Sequence, residues 1–491
     1  MRSKPGRCCP ARHPNSIVGE TGFEASRVRL CWRLGLRAAA AVAFAVAAST
    51  RPRRAGLARM LATTTPQAHD NGYPDFTPLR LGLLGLSPHS RTLVDAARQS
   101  QRCAIVAAAV RDEKRLAAWG EEEDLAGVRF YESYNELLRD DNVDAVYIGL
   151  PTAQHMVWCC AAAKMHKHVL VEKPLAGELS DALAMRRACA EEDVVLMDST
   201  MFPYHERTEQ ILTEIRNPRD FGEVRRVTAA FSFGATEQFL RGSESARAAE
   251  DDPLGCLGDL GWYCARAGLL AFGPDANPKS CQATVTDSNA QGVPLDVAGV
   301  CYFDDERKKV LSFHCSFLHP LRQWLEVVGD HKVLTCDDFV IPRFAKDCAY
   351  TVESFPWNSS PLVDLHSCVV AVKNETRVLN AHAQRVRLLD TFADLCLELF
   401  DGRDAARKTA MDDAVLTQAL VSCLVESCRQ NGALLSMGDT SPLDSDADPP
   451  PLFVDAAERP APPPPPPDDP PKAKKPKAAG KKRKLSGDAA K

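Results

Sequence analysis

Between residues 76 and 201, short apolar runs alternate with amphipathic segments, and this alternation constrains the fold more than any other feature. Five runs are typical of buried strands, at 79–84, 103–110, 143–148, 168–171 and 194–197, and helical patterns lie between them, notably at 154–165 and 180–191. Such alternation favours right-handed βαβ units and a parallel sheet. The runs are almost continuously apolar, which is expected when helices cover both faces of the sheet. The sequence therefore predicts a doubly wound α/β domain.

The overall composition is that of a globular protein. Of 491 residues 45% are hydrophobic and 25% charged, with 60 Lys and Arg against 65 Asp and Glu, which gives a net charge of −5. These values exclude a mainly disordered, collagen-like or multi-span membrane chain, and they offer no general reason to expect nucleic-acid binding. The 18 cysteines lack zinc-site spacing and are interpreted as reduced thiols. No cluster of metal ligands is visible, so no metal is predicted.

Residues 1–75 are predicted to be a leader outside the fold, either targeting or disordered. The first 60 residues are rich in Arg and poor in acids, and they contain an apolar run at 38–48. That run is too short to cross a bilayer, which needs about 20 residues, but it resembles a targeting segment. Translation from Met60 is the alternative. We expect an organelle location, plastid or mitochondrion, in the first case.

Residues 438–491 are predicted to be a disordered tail. An unbroken proline run at 462–467 favours extended polyproline II structure, and the Lys-rich segment at 481–484 follows it. Such a basic cluster is typical of a nuclear localisation signal or a nucleic-acid patch, or it is simply solvated. A cytoplasmic or nuclear location is expected if translation starts at Met60 and this tail acts.

The turn after the first strand is the expected position of a dinucleotide. Of the usual G-x-G-x-x-G pattern only Gly85 is a match, and Ser87 and Ser90 take the other two places, after Gly82 in the strand. Small residues let the backbone approach a pyrophosphate, and Pro88 suits a first helical turn. Gly82, Gly85, Ser87 and Ser90 are therefore candidate cofactor-binding residues, although a tight turn without a ligand has a similar pattern.

The end of the second strand bears on the choice between NADP and NAD. Arg111 at this point would attract a 2′-phosphate, whereas an acid would hold the ribose 2′-hydroxyl of NAD. Asp112 follows directly, and a shift of one residue would place it there instead. The sequence favours NADP, with NAD as the alternative.

Four further segments carry a family resemblance. They are the segment from Asp144 to His155, Glu172-Lys173-Pro174 after an apolar strand, the segment 197–201, and the glycine-rich segment 255–264. Together they resemble the glucose–fructose oxidoreductase / inositol dehydrogenase / MocA (Gfo/Idh/MocA) family of nicotinamide-dependent oxidoreductases. The resemblance extends over residues 79–437.

The resemblance implies a dinucleotide-binding domain at 76–202 and a substrate and dimerisation domain at 203–437. The second domain would be α+β with a large, mostly antiparallel sheet through which family members commonly form homodimers. The sequence agrees, since 223–233, 281–286, 295–303, 309–318 and 323–328 are strand-like and 390–400 and 414–428 are helical. Asn431-Gly432 is a plausible helix C-cap.

Hydride transfer from an alcohol needs a base for the hydroxyl proton and a positive charge near the developing alkoxide. By resemblance, Lys173 lies beside the nicotinamide and the reacting hydroxyl. Asp259 and Tyr263 are four residues apart and share a face if their segment is helical. We predict that Tyr263 is the acid/base, that the ammonium of Lys173 lowers its pKa, and that Asp259 orients the substrate or the lysine. The alternative for Tyr263 is a half-buried aromatic beside Trp262.

The resemblance also implies further cofactor contacts. It places the Pro151 loop with His155, and the Glu172-Lys173 pair, beside the nicotinamide side of the cofactor. His155 has an alternative interpretation as a helix-capping residue. The segment from Tyr204 to Arg207 could reach the substrate.

A tyrosine at position 263 resembles dimeric dihydrodiol dehydrogenase and the NADP-linked D-xylose 1-dehydrogenases, where sugar- and inositol-oxidising relatives have a histidine. The expected activity is therefore NADP-dependent oxidation of a ring hydroxyl, either of an aldose at its anomeric carbon or of a trans-1,2-dihydrodiol. The alternative is a non-catalytic, redox-responsive NADP-binding regulatory protein, because a fold alone never establishes function.

Overall fold

The computed structural model describes residues 77–110, 119, 125, 127–241, 254–274, 277–343, 347–354, 372–379, 383–397 and 403–437. The predicted leader at 1–75, the tail at 438–491 and Arg111 lie outside the described residues, as do Asp112 and residues 398–400 of a predicted helix. Within the described ranges, no helix is both long enough and apolar enough to cross a membrane.

The first half of the chain forms a six-stranded sheet in which every described pairing is parallel. Its strands are β1 (Leu79–Leu84), β2 (Cys103–Ala109), β3 (Arg129–Tyr131), β4 (Ala145–Ile148), β5 (His168–Val171) and β6 (Leu196–Asp198). The spatial order is β3-β2-β1-β4-β5-β6, so the strand order reverses direction between β1 and β4. Ligands bind at the carboxyl ends of the strands beside such a switch point.

Four helices pack on this sheet and bury its strands. They are α1 (Pro88–Ala97), α2 (Tyr134–Leu138), α3 (His155–Lys164) and α4 (Leu179–Glu191). All four residues of β4 are fully buried, as predicted from its unbroken apolar sequence. The short edge strand β3 was not predicted, because its three residues are partly exposed and include Arg129.

The second half forms a nine-stranded sheet. Its strands are β7 (Arg226–Ser232), β8 (Ser280–Ser288), β9 (Pro294–Tyr302), β10 (Val310–Ser316), β11 (Arg322–Val328), β12 (Lys332–Cys336), β13 (Asp347–Ser354), β14 (Val372–Leu379) and β15 (Leu435–Ser436). The order is β14-β13-β12-β11-β7-β10-β9-β8-β15. Only the β7–β10 pairing is parallel among the described strands, so the prediction of a mostly antiparallel sheet is confirmed.

Helices pack against one face of the large sheet. The helices of the second half are α5 (Glu206–Ile215), α6 (Glu237–Leu240), α7 (Trp262–Phe272), α8 (Gln384–Cys396) and α9 (Arg403–Arg429), with a π-helical turn (Leu257–Gly261) leading into α7. Of these, α7 contacts β7 and β10, α9 contacts β8, and α5 contacts β13. Leu311 of β10 packs against Gly268 of α7, and Cys315 lies beside Cys256 next to the π-turn. Because side chains alternate along a strand, Ser312 and His314 lie on the opposite face, here called the open face.

The two C-terminal helices return to the first sheet. Asp390 of α8 accepts a hydrogen bond from Ser100 at 2.5 Å, and Asp412 of α9 pairs with Arg186 of α4 at 3.1 Å. Gly432, with φ of +79°, ends α9 by donating its N–H to the carbonyl of Ser427, as the predicted C-cap requires. The described cysteines are free thiols and mostly buried, in agreement with the prediction.

Candidate active site

The Glu172-Lys173-Pro174 segment lies directly after β5, at the carboxyl edge of the first sheet. The Lys173–Pro174 peptide bond is cis, and the side chain of Lys173 is only 5% exposed. A buried ammonium requires a partner of opposite charge, because burial without one carries a large desolvation cost. Lys173 is therefore a buried residue of the sheet edge and not a surface lysine.

Asp259 is the charged partner of Lys173, and Tyr263 lies next to both. Lys173 Nζ donates to the Asp259 carboxylate and also to its backbone carbonyl oxygen, the latter at 2.9 Å. The same Nζ lies 4.9 Å from the ring centroid of Tyr263. The π-turn and the first turn of α7 direct both side chains at the lysine. The three residues predicted to be catalytic are therefore brought together.

Two buried contacts anchor α7 to the first sheet. Arg266 of α7 pairs with Asp198, the last residue of β6, at 2.5 Å. Trp262 donates its indole N–H to the hydroxyl of Thr200 at 2.7 Å. Lys173 follows β5 of the same sheet, so these contacts determine where the π-turn lies relative to Lys173.

The tyrosine is not activated in the way the sequence suggested. Burial raises the pKa of Tyr263 above its ordinary value of 10, and the ammonium of Lys173 lowers it only in part. The lowering of the pKa by Lys173 that the sequence predicts is present, but desolvation penalises the phenolate more than this one cation stabilises it. The hydroxyl lies 3.6 Å from Met201 Sδ, and the ring packs edge-on against Phe231 at 5.5 Å. Tyr263 is thus a neutral phenol that can donate a proton.

Glu172 is a buried carboxylate held in its charged form. It accepts a hydrogen bond from the Tyr147 hydroxyl at 2.6 Å and from the backbone N–H of Lys173 at 3.2 Å. Burial raises the pKa of Glu172, but the charges of His89 and Arg385 and the Tyr147 hydrogen bond outweigh it and bring the pKa to about 2. Glu172 therefore positions the lysine segment rather than exchanging protons at neutral pH.

His155 connects the loops that follow β4 and β5. Its Nε2 lies 2.9 Å from the carbonyl oxygen of Leu150, and its Nδ1 lies 3.1 Å from that of Pro174. Burial lowers the pKa of His155 below its ordinary value of 6.5, although both carbonyls favour the charged form. The ring is almost completely buried, at 1% exposure. The structure thus gives His155 a role in holding the loops that would face a cofactor, and neither predicted interpretation included this role.

The turn from β1 to α1 fits a pyrophosphate. Gly85 has φ of +88°, and a Cβ there would lie 2.6 Å from Leu150 Cδ2. Ser87 caps α1 by accepting from the N–H of Ser90 at 3.2 Å, and the Ser90 hydroxyl donates to the Gly85 carbonyl at 2.8 Å. The turn thus brings a glycine backbone and a helix N-terminus to the switch point, and both features bind phosphate groups.

The other predicted cofactor residues divide into two groups. Pro151 begins the short 3₁₀ turn after β4, on the same carboxyl edge. Gly82 instead lies within β1, where a Cβ would meet Leu137 Cδ2 at 2.8 Å, so its lack of a side chain serves packing. The structure does not support a phosphate contact by Gly82.

The segment from Tyr204 to Arg207 is structural in the described part of the chain. Arg207 is 1% exposed and pairs with Asp338 of the large sheet, and His205 caps α5 by accepting from the N–H of Arg207 at 3.0 Å. The Tyr204 hydroxyl faces Met197 Sδ at 3.8 Å. These contacts are all with protein groups, and the suggestion that the segment reaches the substrate stays a prediction.

Two basic residues near the site were missed from the sequence. His89 in the first turn of α1 and Arg385 in α8 both lie close enough to Glu172 to lower its pKa. Arg385 is 213 residues from Glu172 along the chain and carries no local motif, so only the return of α8 reveals it. His89 follows Pro88 at the start of α1, directly after the predicted pyrophosphate-binding turn. In the sequence, this position was the one indication that His89 lies near the site.

Curated relatives of the chain are dehydrogenases and reductases. The chain is 34% identical over 226 residues to "D-xylose 1-dehydrogenase (NADP(+)) 2" of Haloferax volcanii, which covers 46% of this chain and 66% of that protein. It is 30% identical over 204 residues to "Trans-1,2-dihydrobenzene-1,2-diol dehydrogenase" of Mus musculus, and this match covers 40% of this chain and 56% of that protein. Both matches thus extend over less than two thirds of the relative's own length.

Solved structures share the fold. A 3-ketoreductase from Actinomadura kijaniata in complex with NADP superposes with a TM-score of 0.57 at 22% identity, covering 72% of this chain and 98% of that one. Two family profiles match in sequence, "Oxidoreductase family, NAD-binding Rossmann fold" at 79–199 and "GFO/IDH/MocA C-terminal domain" at 211–335. Together they extend over half of the chain, so the predicted resemblance is confirmed, and the protein belongs to the Gfo/Idh/MocA family of oxidoreductases.

Proposed function

We propose that this protein is an NADP-dependent dehydrogenase that oxidises a ring hydroxyl of an aldose such as D-xylose at the anomeric carbon. The buried cluster of Lys173, Asp259 and Tyr263 at the carboxyl edge of β5 carries this proposal. A trans-1,2-dihydrodiol also has a ring hydroxyl beside a second hydroxyl, so it is the alternative substrate for the same groups.

Each residue of the cluster has a distinct task. In oxidation the Tyr263 phenol first gives its own proton to solvent, and the phenolate then accepts the substrate hydroxyl proton as the C–H bond breaks with loss of a hydride. In the reverse reduction the neutral Tyr263 phenol returns that proton. The ammonium of Lys173 stabilises the negative charge that develops on the substrate oxygen and on the phenolate. Asp259 holds that ammonium in place through the carboxylate and carbonyl contacts.

The turn of Gly85, Ser87 and Ser90 would hold the pyrophosphate of the cofactor, and Arg111 would bind the 2′-phosphate of NADP. When bound, NADP⁺ accepts the hydride that leaves the substrate carbon. The NADP in the name of the Haloferax volcanii relative supports this choice. Arg111→Ala is then expected to raise the KM for NADP⁺ while leaving the KM for NAD⁺ nearly unchanged.

We also propose a homodimer formed through the open face of the large sheet. That face carries partly buried apolar side chains on more than one strand, among them Val300 of β9 and Trp324 of β11. Apolar side chains on an uncovered sheet face favour a partner. If light scattering gives the molar mass of a single chain across a wide concentration range, the proposed dimer is contradicted.

The function is tested by following reduced-nicotinamide formation with purified full-length protein. NADP⁺ and NAD⁺ are each paired with D-xylose, D-glucose and trans-1,2-dihydrobenzene-1,2-diol, and Lys173→Ala is assayed in parallel. We expect turnover with NADP⁺ and D-xylose that is lost in Lys173→Ala.

Turnover of the dihydrodiol alone would contradict the proposed sugar substrate but would still support a dehydrogenase activity. NADPH binding without turnover on any of these substrates would favour the alternative of a redox-responsive regulatory protein. NADPH binding is measured by its fluorescence, so that loss of cofactor and loss of catalysis are distinguished.

A further inference from the structure

Three ligand-type side chains meet on the open face of the large sheet, away from the active site. Asp296 lies on β9, His314 on β10, and His319 in the connection that follows β10. His314 Nε2 is 2.7 Å from one carboxylate oxygen of Asp296, and His319 Nε2 is 3.1 Å from the other. One ligand atom from each residue lies within 4.8 Å of the other two.

The sheet register brings this group together. Asp296 is paired with Ser316 across the β9–β10 ladder, and His314 is two positions earlier on the same strand. Asp296 and His314 are therefore diagonal neighbours on one sheet face. After β10 the chain turns back towards β11, which places His319 over the same carboxylate.

The donor set suits a divalent transition metal. Two imidazole nitrogens and one carboxylate oxygen are ligands that Zn²⁺ accepts, usually with water in a remaining position. Both histidines direct the same atom, Nε2, to the carboxylate, so a metal ion could replace the two shared protons after small side-chain movements. In the described part of the chain, this is the one group of three or more such side chains with ligand atoms at this spacing.

We propose that Asp296, His314 and His319 form a binding site for a divalent transition metal ion such as Zn²⁺. Its role is structural, because it would join β9, β10 and the connection after β10. Cys315, the neighbour of His314, faces the other side of the sheet towards Cys256 and the π-turn. The metal site and the catalytic cluster are thus on opposite faces, and hydride transfer does not need this ion.

The proposal departs from the sequence-based expectation that no metal is bound. Asp296 and His314 are 18 residues apart, and Asp296 and His319 are 23 apart, so no short spacing motif marks them. Only the antiparallel pairing of β9 and β10 makes them neighbours.

The test is a Zn²⁺ titration of metal-free, full-length protein in competition with a chromophoric chelator. We expect one competitive site per chain in the wild type. His319→Gln and His314→Gln should each weaken it by more than about 100-fold, because even outer-shell partners contribute about 10- to 100-fold to metal affinity. Zn²⁺ should also raise the melting temperature of the wild type but not of His319→Gln.

The matched control is His166→Gln. His166 Nδ1 lies 3.4 Å from a Glu192 carboxylate oxygen, so this pair has one imidazole and one carboxylate but no second histidine. We expect this variant to keep the wild-type Zn²⁺ affinity. Co²⁺ binding adds a spectroscopic readout, since a nitrogen and oxygen site gives no thiolate charge-transfer band, whereas binding by cysteines does.

Equal Zn²⁺ affinity in the wild type and His319→Gln would overturn the proposal, as would a thiolate band that accounts for all bound Co²⁺. His319 is in an exposed connection with 52% of its side chain accessible, so its substitution should leave the fold intact. Circular dichroism of each metal-free variant checks this.

Discussion

Lys173 and Asp259, 86 residues apart, form a buried ion pair between the loop after β5 and the π-turn before α7. The ammonium contacts both the side chain and the backbone of Asp259. It therefore stabilises the position of the π-turn as well as the negative charge of the carboxylate. Each side chain is 5% exposed, and neither charge can be removed without leaving the other buried. The cluster that supports catalysis is therefore also a structural link between the two sheets.

Lys173→Met and Asp259→Asn should each destabilise the protein, by about 3–5 kcal/mol for the lysine substitution, because a buried charge loses its partner. The double variant should be more stable than the sum of the two losses predicts. Urea unfolding of all four proteins measures the coupling. Arg241→Met is the control, since Arg241 pairs with Glu237 on an exposed helix and its loss should change stability little. If the losses in unfolding free energy of the two single variants add up in the double variant, the coupling between Lys173 and Asp259 is contradicted.

Tyr263→Phe should lower kcat by about 10²- to 10⁴-fold, the usual contribution of a positioned acid or base, while NADPH binds with nearly unchanged affinity. Steady-state kinetics and NADPH fluorescence measure the two effects separately. Tyr204→Phe is the matched control, because Tyr204 is a second buried tyrosine with its hydroxyl near a methionine sulfur. Full turnover in Tyr263→Phe would exclude this residue as the acid.

Gly85→Ala should weaken NADPH binding and destabilise the fold. The new Cβ would lie 2.6 Å from Leu150 Cδ2 and 3.0 Å from the Gly149 carbonyl oxygen. Gly127→Ala is the matched control, because Gly127 has φ of +89° against +88° for Gly85 but no neighbouring atom within 4 Å. It should cost about 1–2 kcal/mol from backbone strain alone, with NADPH affinity unchanged. Equal effects of the two variants on NADPH affinity would contradict the role of the turn.

Glu172 should make the stability of the protein depend on acid pH. Its pKa of about 2 in the folded state lies below the ordinary value of 4.5, so the charged carboxylate stabilises the fold above pH 4.5. That contribution, roughly 3 kcal/mol, should disappear as the pH falls from 4.5 towards 2. Urea unfolding of the wild type and Glu172→Gln at pH 7 and at pH 3 measures it.

The expected result is a less stable Glu172→Gln at pH 7 and a smaller difference from the wild type at pH 3. Glu191→Gln, on the exposed end of α4, controls for the simple loss of one negative charge. A difference that stays constant between the two pH values would show that Glu172 does not titrate as proposed.

Much of the fold could be predicted because the strands of the first sheet are buried on both faces. The bounds predicted for β1 and β5 agree with the structure, since their apolar runs end sharply at polar or glycine residues. Strands β12, β13 and β14 were not predicted. Glu353 and Glu375 on the latter two are partly or fully exposed, and their pattern of polar residues resembles that of a loop.

The candidate catalytic residues were predicted through the family motifs around Lys173 and Tyr263, and the structure brings these side chains together. The acid strength of Tyr263 was not predictable, because it depends on how completely packing removes water from the ring. The effect of Arg385 on the pKa of Glu172 could not be predicted either, because Arg385 lies in a helix that returns to the first sheet late in the chain.

The sequence by itself determined the parallel sheet and the turn after β1, because local hydrophobic periodicity and short motifs encode them, and its family resemblance indicated the candidate catalytic side chains. Only the tertiary structure decided which charges are buried and which residues are neighbours across strands. Burial decides the protonation of Tyr263, neighbouring charges that outweigh burial decide that of Glu172, and strand register creates the cluster of Asp296, His314 and His319. Both depend on contacts between residues far apart in the chain, which no local pattern records.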